Sequence, residues 1–239
     1  MSELLDLAIK AHGGWDRWQQ LSKILADFKV GGVVWHVKQC VGAFADVQMT
    51  MDPHRQHAEY LNWPKAGETG IFEPQRTSIL SASGAPIDVR ESPRAAFSGH
   101  TLMTPWDQQN ALYFASYAMW NYLSAPFLFK LPGFKTEEIE PWDEDGQKWR
   151  RLKVTFPPEI ASHGLEQVFY FNESGVLQRH DYSVDVMGGT SSANYASDHK
   201  VFGGILFPTK RRVYSKTPDN KPMLERVAVS IDIDSIELS

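Results

Sequence analysis

The sequence predicts a mainly β fold with a few helices (α+β), built on one large antiparallel sheet. Three observations carry this. Apolar and polar residues alternate over short runs from Ile24 onward, turn residues separate those runs at regular intervals, and one run near the middle is apolar on every side. With 239 residues and 42% hydrophobic content the chain can bury one large core, and a β domain of this length can form a single unit over 1–239.

In chain order, Ser2 can cap a helix whose apolar face is Leu4, Leu5, Ala8 and Ile9, and Gly13-Gly14 supplies its stop. A second helical turn over Trp15 to Leu21 puts Trp15 and Trp18 on one face. From Ile24 the period becomes two: Ile24, Ala26, Phe28 and Val30, then, after Gly31-Gly32, a resumed strand of Val33, Trp35 and Val37. Further strands are expected at 44–52, 55–62, 69–73, 76–82 and 86–91, separated by Asp-Pro, Trp-Pro, Glu-Pro, Ser-Gly and Ser-Pro pairs. Thr104-Pro105-Trp106-Asp107 combines a cap, a proline suited to the first helical position and an acid, so a helix is expected over 105–124, ended by Pro126. Its apolar residues run almost completely round the circumference, so it must be covered on all sides. The apolar, proline-broken stretch Ala125 to Phe134 is a candidate lid or cavity rim. Strands return at 135–141 and 148–156, and a meander runs from Glu166 to Leu238 with turns at 172–175 and 202–204. In the last strand Val227 to Ile233 and Ile236 to Leu238 take opposite parities, which a bulge near Asp234-Ser235 would reconcile.

A net charge of −5 with mixed signs along the chain excludes a nucleic-acid surface, which needs clustered Lys and Arg. Cys40 is the only cysteine, so no intrachain disulfide can form, and a small buried hydrophobe is its expected role. The opening MSELLDLAIKAHGG shows no basic, apolar and small-residue succession of a leader, so a cytoplasmic location is expected. The uncharged run from Ala111 to Phe129 is interrupted by Ser116, Asn121, Ser124 and Pro126, which argues against a membrane span. His54 and His57, with Asp52 and Glu59 nearby, are a metal lead only in composition, because residues three apart on a strand face opposite sides; no metal site and no cofactor are expected. Nucleophile elbows, phosphate-binding glycine loops and dinucleotide fingerprints are absent.

The meander carries the candidate site. His180 shares the parity of Val176, Tyr182, Val184 and Val186; His199 that of Tyr195 and Val201; Arg211 that of Ile205, Phe207 and Val213. His180, Tyr182, His199 and Arg211 would then point to one sheet interior. The alternative is a polar network satisfied by Asp181, Asp185 or Asp198. An inward guanidinium costs several kcal/mol unless paired, and an acidic ligand head group would meet that need. The helical stripe Tyr113, Tyr117 and Trp120 would hold the apolar body of such a ligand, or simply form core. If the site were catalytic, His180 or His199 would be the acid or base and Tyr182 a donor to an oxyanion.

This order of elements, with AHGGWDRW at 11–18 and the endings EQVFYFNESGVLQRHDYSVDV and NYASDHKVFGGILFPTKRRVY, resembles the LolA/LolB-like superfold of bacterial lipoprotein carriers. The resemblance spans nearly the whole chain. It implies an incompletely closed antiparallel β-barrel with N-terminal helices and a central apolar helix on its concave side, binding a hydrophobic or amphipathic small molecule with transient membrane contact. A lipid-attachment cysteine after a leader is missing, and no functional arginine of those carriers can be placed on this chain. An enzyme of violacein biosynthesis also looks like this fold, so an enzyme of secondary metabolism using the same cavity is the alternative.

Overall fold

The computed structural model describes residues 2–239. The first six strands are β1 (Ile24–Gly31), β2 (Val47–Met51), β3 (Ala58–Leu61), β4 (Thr69–Glu73), β5 (Arg76–Leu80) and β6 (Pro86–Glu91). The remaining seven are β7 (Lys135–Glu144), β8 (Gln147–Thr155), β9 (Glu166–Phe171), β10 (Leu177–Val184), β11 (Thr190–Phe202), β12 (Ile205–Ser215) and β13 (Val229–Leu238). Each strand pairs antiparallel with its sequence neighbour within two meanders, and β1 pairs with β13 to fuse them into one 13-stranded sheet. The order runs from β6 through β1 and β13 to β7, so β6 and β7 are free edges and the barrel is not closed.

The chain between those edges crosses the concave side as α4 (Gln108–Ser124), whose residues from Gln109 to Ser124 are all buried. A helix without a polar face can be accommodated only where protein surrounds it, and the open barrel provides that place. The cap is Asp107, which accepts from the Asn110 amide at 2.8 Å while the Asn110 side chain answers the Asp107 amide. Thr104 is therefore not the cap: the Trp106 amide donates to the Lys38 carbonyl at 2.9 Å, which ties the preceding residues to another segment.

Three other expectations are corrected. Val33–Val37 is a helical turn (α3), not a strand. Its first amides donate to the Val227 and Ala228 carbonyls, which stops β1, and five apolar-rich residues fit either period. Residues 125–129 are packed core, not a lid: Phe127, Leu128 and Phe129 are buried, Trp18 stacks on Phe127 at 4.4 Å, and only Pro132 and Gly133 of the stretch are exposed. Tyr195 and Val201 do not face inward, since the Tyr195 hydroxyl donates to Glu144 on the outer face and Val201 is 66% exposed. The bulge in β13 is present: Asp27 pairs with Ser235 and Phe28 with Ile233, leaving Asp234 unpaired.

The junction between the N-terminal helices α1 (Glu3–Ala11) and α2 (Trp15–Gln19) sits on the β11–β12 turn. The Leu206 amide donates to the His12 carbonyl at 3.0 Å, and Arg17 Nε donates to the Gly203 carbonyl at 2.7 Å. A Cβ on Gly13 would lie 2.3 Å from the Gly204 carbonyl oxygen, and Gly13 has φ +120°. Gly14 also has positive φ (+88°), but a Cβ there would meet nothing within 4 Å. Gly14→Ala should therefore cost only the backbone strain, about 1–3 kcal/mol, of a region (φ +88°, ψ 154°) that side-chain-bearing residues avoid. Gly13→Ala should cost clearly more, by about 1–3 kcal/mol of further overpacking. Urea denaturation of the two variants beside the parent measures the difference.

Candidate functional site

A cavity of about 110 Å³ lies between α4 and the C-terminal half of the sheet. Phe114, Ala115, Ala118, Met119 and Tyr122 form its helical wall, one face of α4 at helical spacing. Opposite stand Val184, Ser192, Val213, Val229 and Ile231 from β10 to β13, and Trp35 of α3 closes one end. Val33 and Leu102, 42% and 37% exposed, mark where the cavity reaches the surface. No charged side chain lines it apart from the titratable ring of His163.

The polar end is a hydrogen-bonded chain. The Tyr182 and Tyr122 hydroxyls are 2.7 Å apart, Tyr122 reaches His163 Nε2 at 2.8 Å, and His163 Nδ1 meets the Tyr117 hydroxyl at 3.1 Å. The His163 ring also stacks on Tyr182 at 3.9 Å. Burial, with the Arg94 charge adding to it, pushes His163 down to about 3, so the imidazole is neutral at neutral pH. Burial likewise pushes Tyr122 up to about 12 and raises Tyr117 and Tyr182. Every group in the chain is thus an uncharged donor and acceptor.

Of the residues expected from sequence, Tyr182 lines the cavity, and Tyr117 joins the chain behind it. His180 stands beside Tyr182 in the wall, stacked on Phe169 at 3.9 Å with Nε2 2.6 Å from Gln167 Oε1. Burial lowers its pKa well below the ordinary histidine value. Arg211 is also in the wall and does not touch the cavity. One of its Nη groups donates to the Tyr122 carbonyl at 3.1 Å, its guanidinium lies 4.6 Å over the Tyr122 ring, and the other Nη has no protein partner. Burial without a carboxylate pushes Arg211 down to about 10. His199 is half-buried near His12 and Arg211, brought there by Asp198, which has φ 53° and is skipped between the Ser197–Lys210 and His199–Pro208 pairs. Tyr113 packs on Phe72 and Phe97, away from the cavity, and the Trp120 indole donates to the Asp52 carbonyl at 2.7 Å.

Sequence reasoning missed His163 and Tyr122. His163 sits in the loop before β9, where no periodicity points a side chain anywhere. Tyr122 belongs to the 114–115–118–119–122 face, which was hidden because the whole helix is apolar. The metal lead dissolves: His54 Nε2 pairs with the Leu21 carbonyl and His57 with Glu59 and Glu73, and no cluster able to hold a metal occurs among the described residues. No helix among them is long and apolar enough to cross a membrane.

No protein-family model and no curated protein matches the chain. Solved structures do. A LolA superfamily protein from Nitrosomonas europaea superposes with a TM-score of 0.55 at 10% identity, over 99% of this chain and 92% of the other. A domain described as an outer membrane lipoprotein-sorting protein, from Vibrio parahaemolyticus, gives 0.56 at 10% identity, covering 98% and 92%. A DUF1329 family protein from Desulfovibrio piger gives 0.52 at 12% identity, covering 99% and 92%. The class of protein defined here is an open antiparallel half-barrel enclosing a helix. The particular fold is LolA-like, as the sequence resemblance implied.

The buried imidazoles set a pH dependence. His12 is pushed down to about 4 and His163 to about 3, while in the unfolded chain both titrate near 6.5. Below pH 6.5 the unfolded chain takes up protons that the folded chain refuses, so stability present above 6.5 is lost as pH falls toward the folded values. Each such histidine contributes a slope of up to about 1.4 kcal/mol per pH unit in that window. Urea midpoints from pH 7 to 5 should fall steeply for the parent and more gently for His163→Gln.

Proposed function

We propose that the protein binds a hydrophobic or amphipathic small molecule in the cavity between α4 and the sheet, as a carrier. The observation that carries this reading is the cavity itself: apolar on the helix and sheet walls, ended by tyrosine hydroxyls, and reaching the surface beside Val33 and Leu102. Apolar ligand surface moved there from water gains roughly 0.8 kcal/mol per methylene. The likeness to a domain described as lipoprotein-sorting supports a hydrophobic cargo. Val33, Leu102 and Met103 are exposed beside one another in chain or across the mouth, which suits transfer to and from an apolar surface. A cytoplasmic location belongs to the same proposal and is checked by fractionation.

Ala118 lines the cavity from the helix side and is almost fully buried. Calorimetric titration with benzene, the ring closest to the cavity in size, should give saturable, single-site binding. Ala118→Phe, which fills the space, should weaken it at least about tenfold with circular dichroism unchanged. Unsaturable binding, or equal binding by the filled variant, would reject the reading.

A further inference from the structure

The outer face of the sheet carries a row of side chains that a merely solvated face does not need. Arg151 pairs across with Tyr170, Tyr170 with Arg179, Arg179 with Tyr195 and Tyr195 with Arg212, so arginine and tyrosine alternate over the neighbouring strands β8 to β12. Arg179, at the centre, is fully buried, and its guanidinium lies 5.4 Å over the Tyr195 ring and 5.9 Å over that of Trp142. Its partner Glu144 also accepts from the Trp142 indole at 2.6 Å and from the Tyr195 hydroxyl. The Trp142 and Tyr195 rings are thereby held in fixed positions without a ligand's help.

A groove of about 510 Å³ opens beside these rings, a volume within the range of small-molecule sites. Tyr195 and Tyr214 of β11 and β12 line it, with Trp142 of the β7–β8 hairpin and Leu224 of the segment before β13. The charged groups that line it decide what it can hold. Arg212 is engaged by Asp232 at 2.7 Å and by the Arg211 and Ile231 carbonyls, and Lys221 stands 3.4 Å from Asp219. Asp143 and Asp145 remain: both line the groove, both are exposed, and neither forms an ion pair among the described residues.

An anion would therefore meet two free carboxylates and no unpaired cation. A cation would find the rings taken, because Arg179 lies over Trp142 and Tyr195 and Arg151 lies 5.8 Å over Trp142. The two carboxylates alone, exposed to water, would hold it weakly. A neutral ligand with C–H surface for the rings and hydroxyl hydrogens for the carboxylates satisfies both kinds of group. We propose that this groove binds a sugar, a pyranose ring whose C–H face packs on Trp142 and the tyrosines and whose hydroxyls donate to Asp143 and Asp145. The site lies on the opposite face of the sheet from the apolar cavity and does not depend on it.

Saturation-transfer difference NMR on the full chain tests this with the methyl pyranosides of glucose, galactose, mannose and N-acetylglucosamine, and with choline and citrate as charged comparators. At least one glycoside should bind, with transfer strongest at its ring C–H protons, and saturating benzene should not displace it. Trp142→Ala should weaken that binding at least about tenfold, and Trp142→Phe, which keeps a ring, should weaken it less. Asp143→Asn combined with Asp145→Asn should weaken it about fivefold, through loss of the charge-assisted bonds. Both positions are exposed, and Asp145 has φ 48°, which asparagine tolerates, so this variant serves where Trp142→Ala does not fold. Binding of no glycoside, tighter binding of choline or citrate than of every glycoside, displacement by benzene, or equal binding by the doubly substituted variant overturns the proposal.

Discussion

Everything in this molecule follows from a 17-residue helix that has no polar face. Such a helix is stable in water only if protein covers it completely, and its backbone ends must then find partners inside the protein. The fold meets the first demand by running the helix from one free edge of the sheet to the other, so that the meanders β1–β6 and β7–β13 wrap it from both sides. That route is also what keeps the barrel open. The second demand is met at the start by Asp107 and Asn110, and near the end by the Ala125 amide on the Asn121 carbonyl and by Arg211 on the Tyr122 carbonyl.

Two buried arginines show how differently one sheet treats its faces. Arg179, on β10, is fully covered on the outer side and held by Asp181 at 2.7 Å and Glu144 at 2.8 Å, with the Asn220 carbonyl closing the set. Its charge is balanced, and its role is to join β10 to neighbouring strands and the 216–222 segment. Arg211, on the inner side, has no carboxylate partner. Its charge is moderated by the carbonyl-rich end of α4 and the face of the Tyr122 ring. A cation of this kind fixes the helix end against the sheet while leaving the cavity uncharged.

Period-two patterning located most strands to within a few residues, because a half-buried strand must alternate. It failed at Val33–Val37, where five residues are too few to distinguish a strand from a helical turn. It also failed at Tyr195, because the strand just before it, Ser192 to Asn194, is buried at consecutive positions and so on both faces, and burial there says nothing about direction. AHGG at 11–14 and FGG at 202–204 read as separate turn signals, yet they are one contact: Gly13 has no room for a side chain because Gly204 lies against it. The candidate site was legible as a chemical type and not as a set of residues. Parity could bring His180 and Tyr182 to the interior, but His163 comes from a loop and Tyr122 from a helix apolar on all faces, and neither carries a periodic signal.

The same low polarity that makes the cavity suitable for a hydrophobic molecule bears on whether chemistry could occur there. An acid or base works best with a pKa near the working pH, since it must both hold and release its proton. Burial drives the groups at the polar end away from that point in opposite directions: His163 to about 3, Tyr122 to about 12, with His180 lowered and Tyr182 raised. None of them is poised to exchange a proton with a substrate at neutral pH, yet all can share one in a hydrogen bond. Uncharged donors and acceptors fixed in a water-poor space can pair with a polar atom without transferring a proton to it.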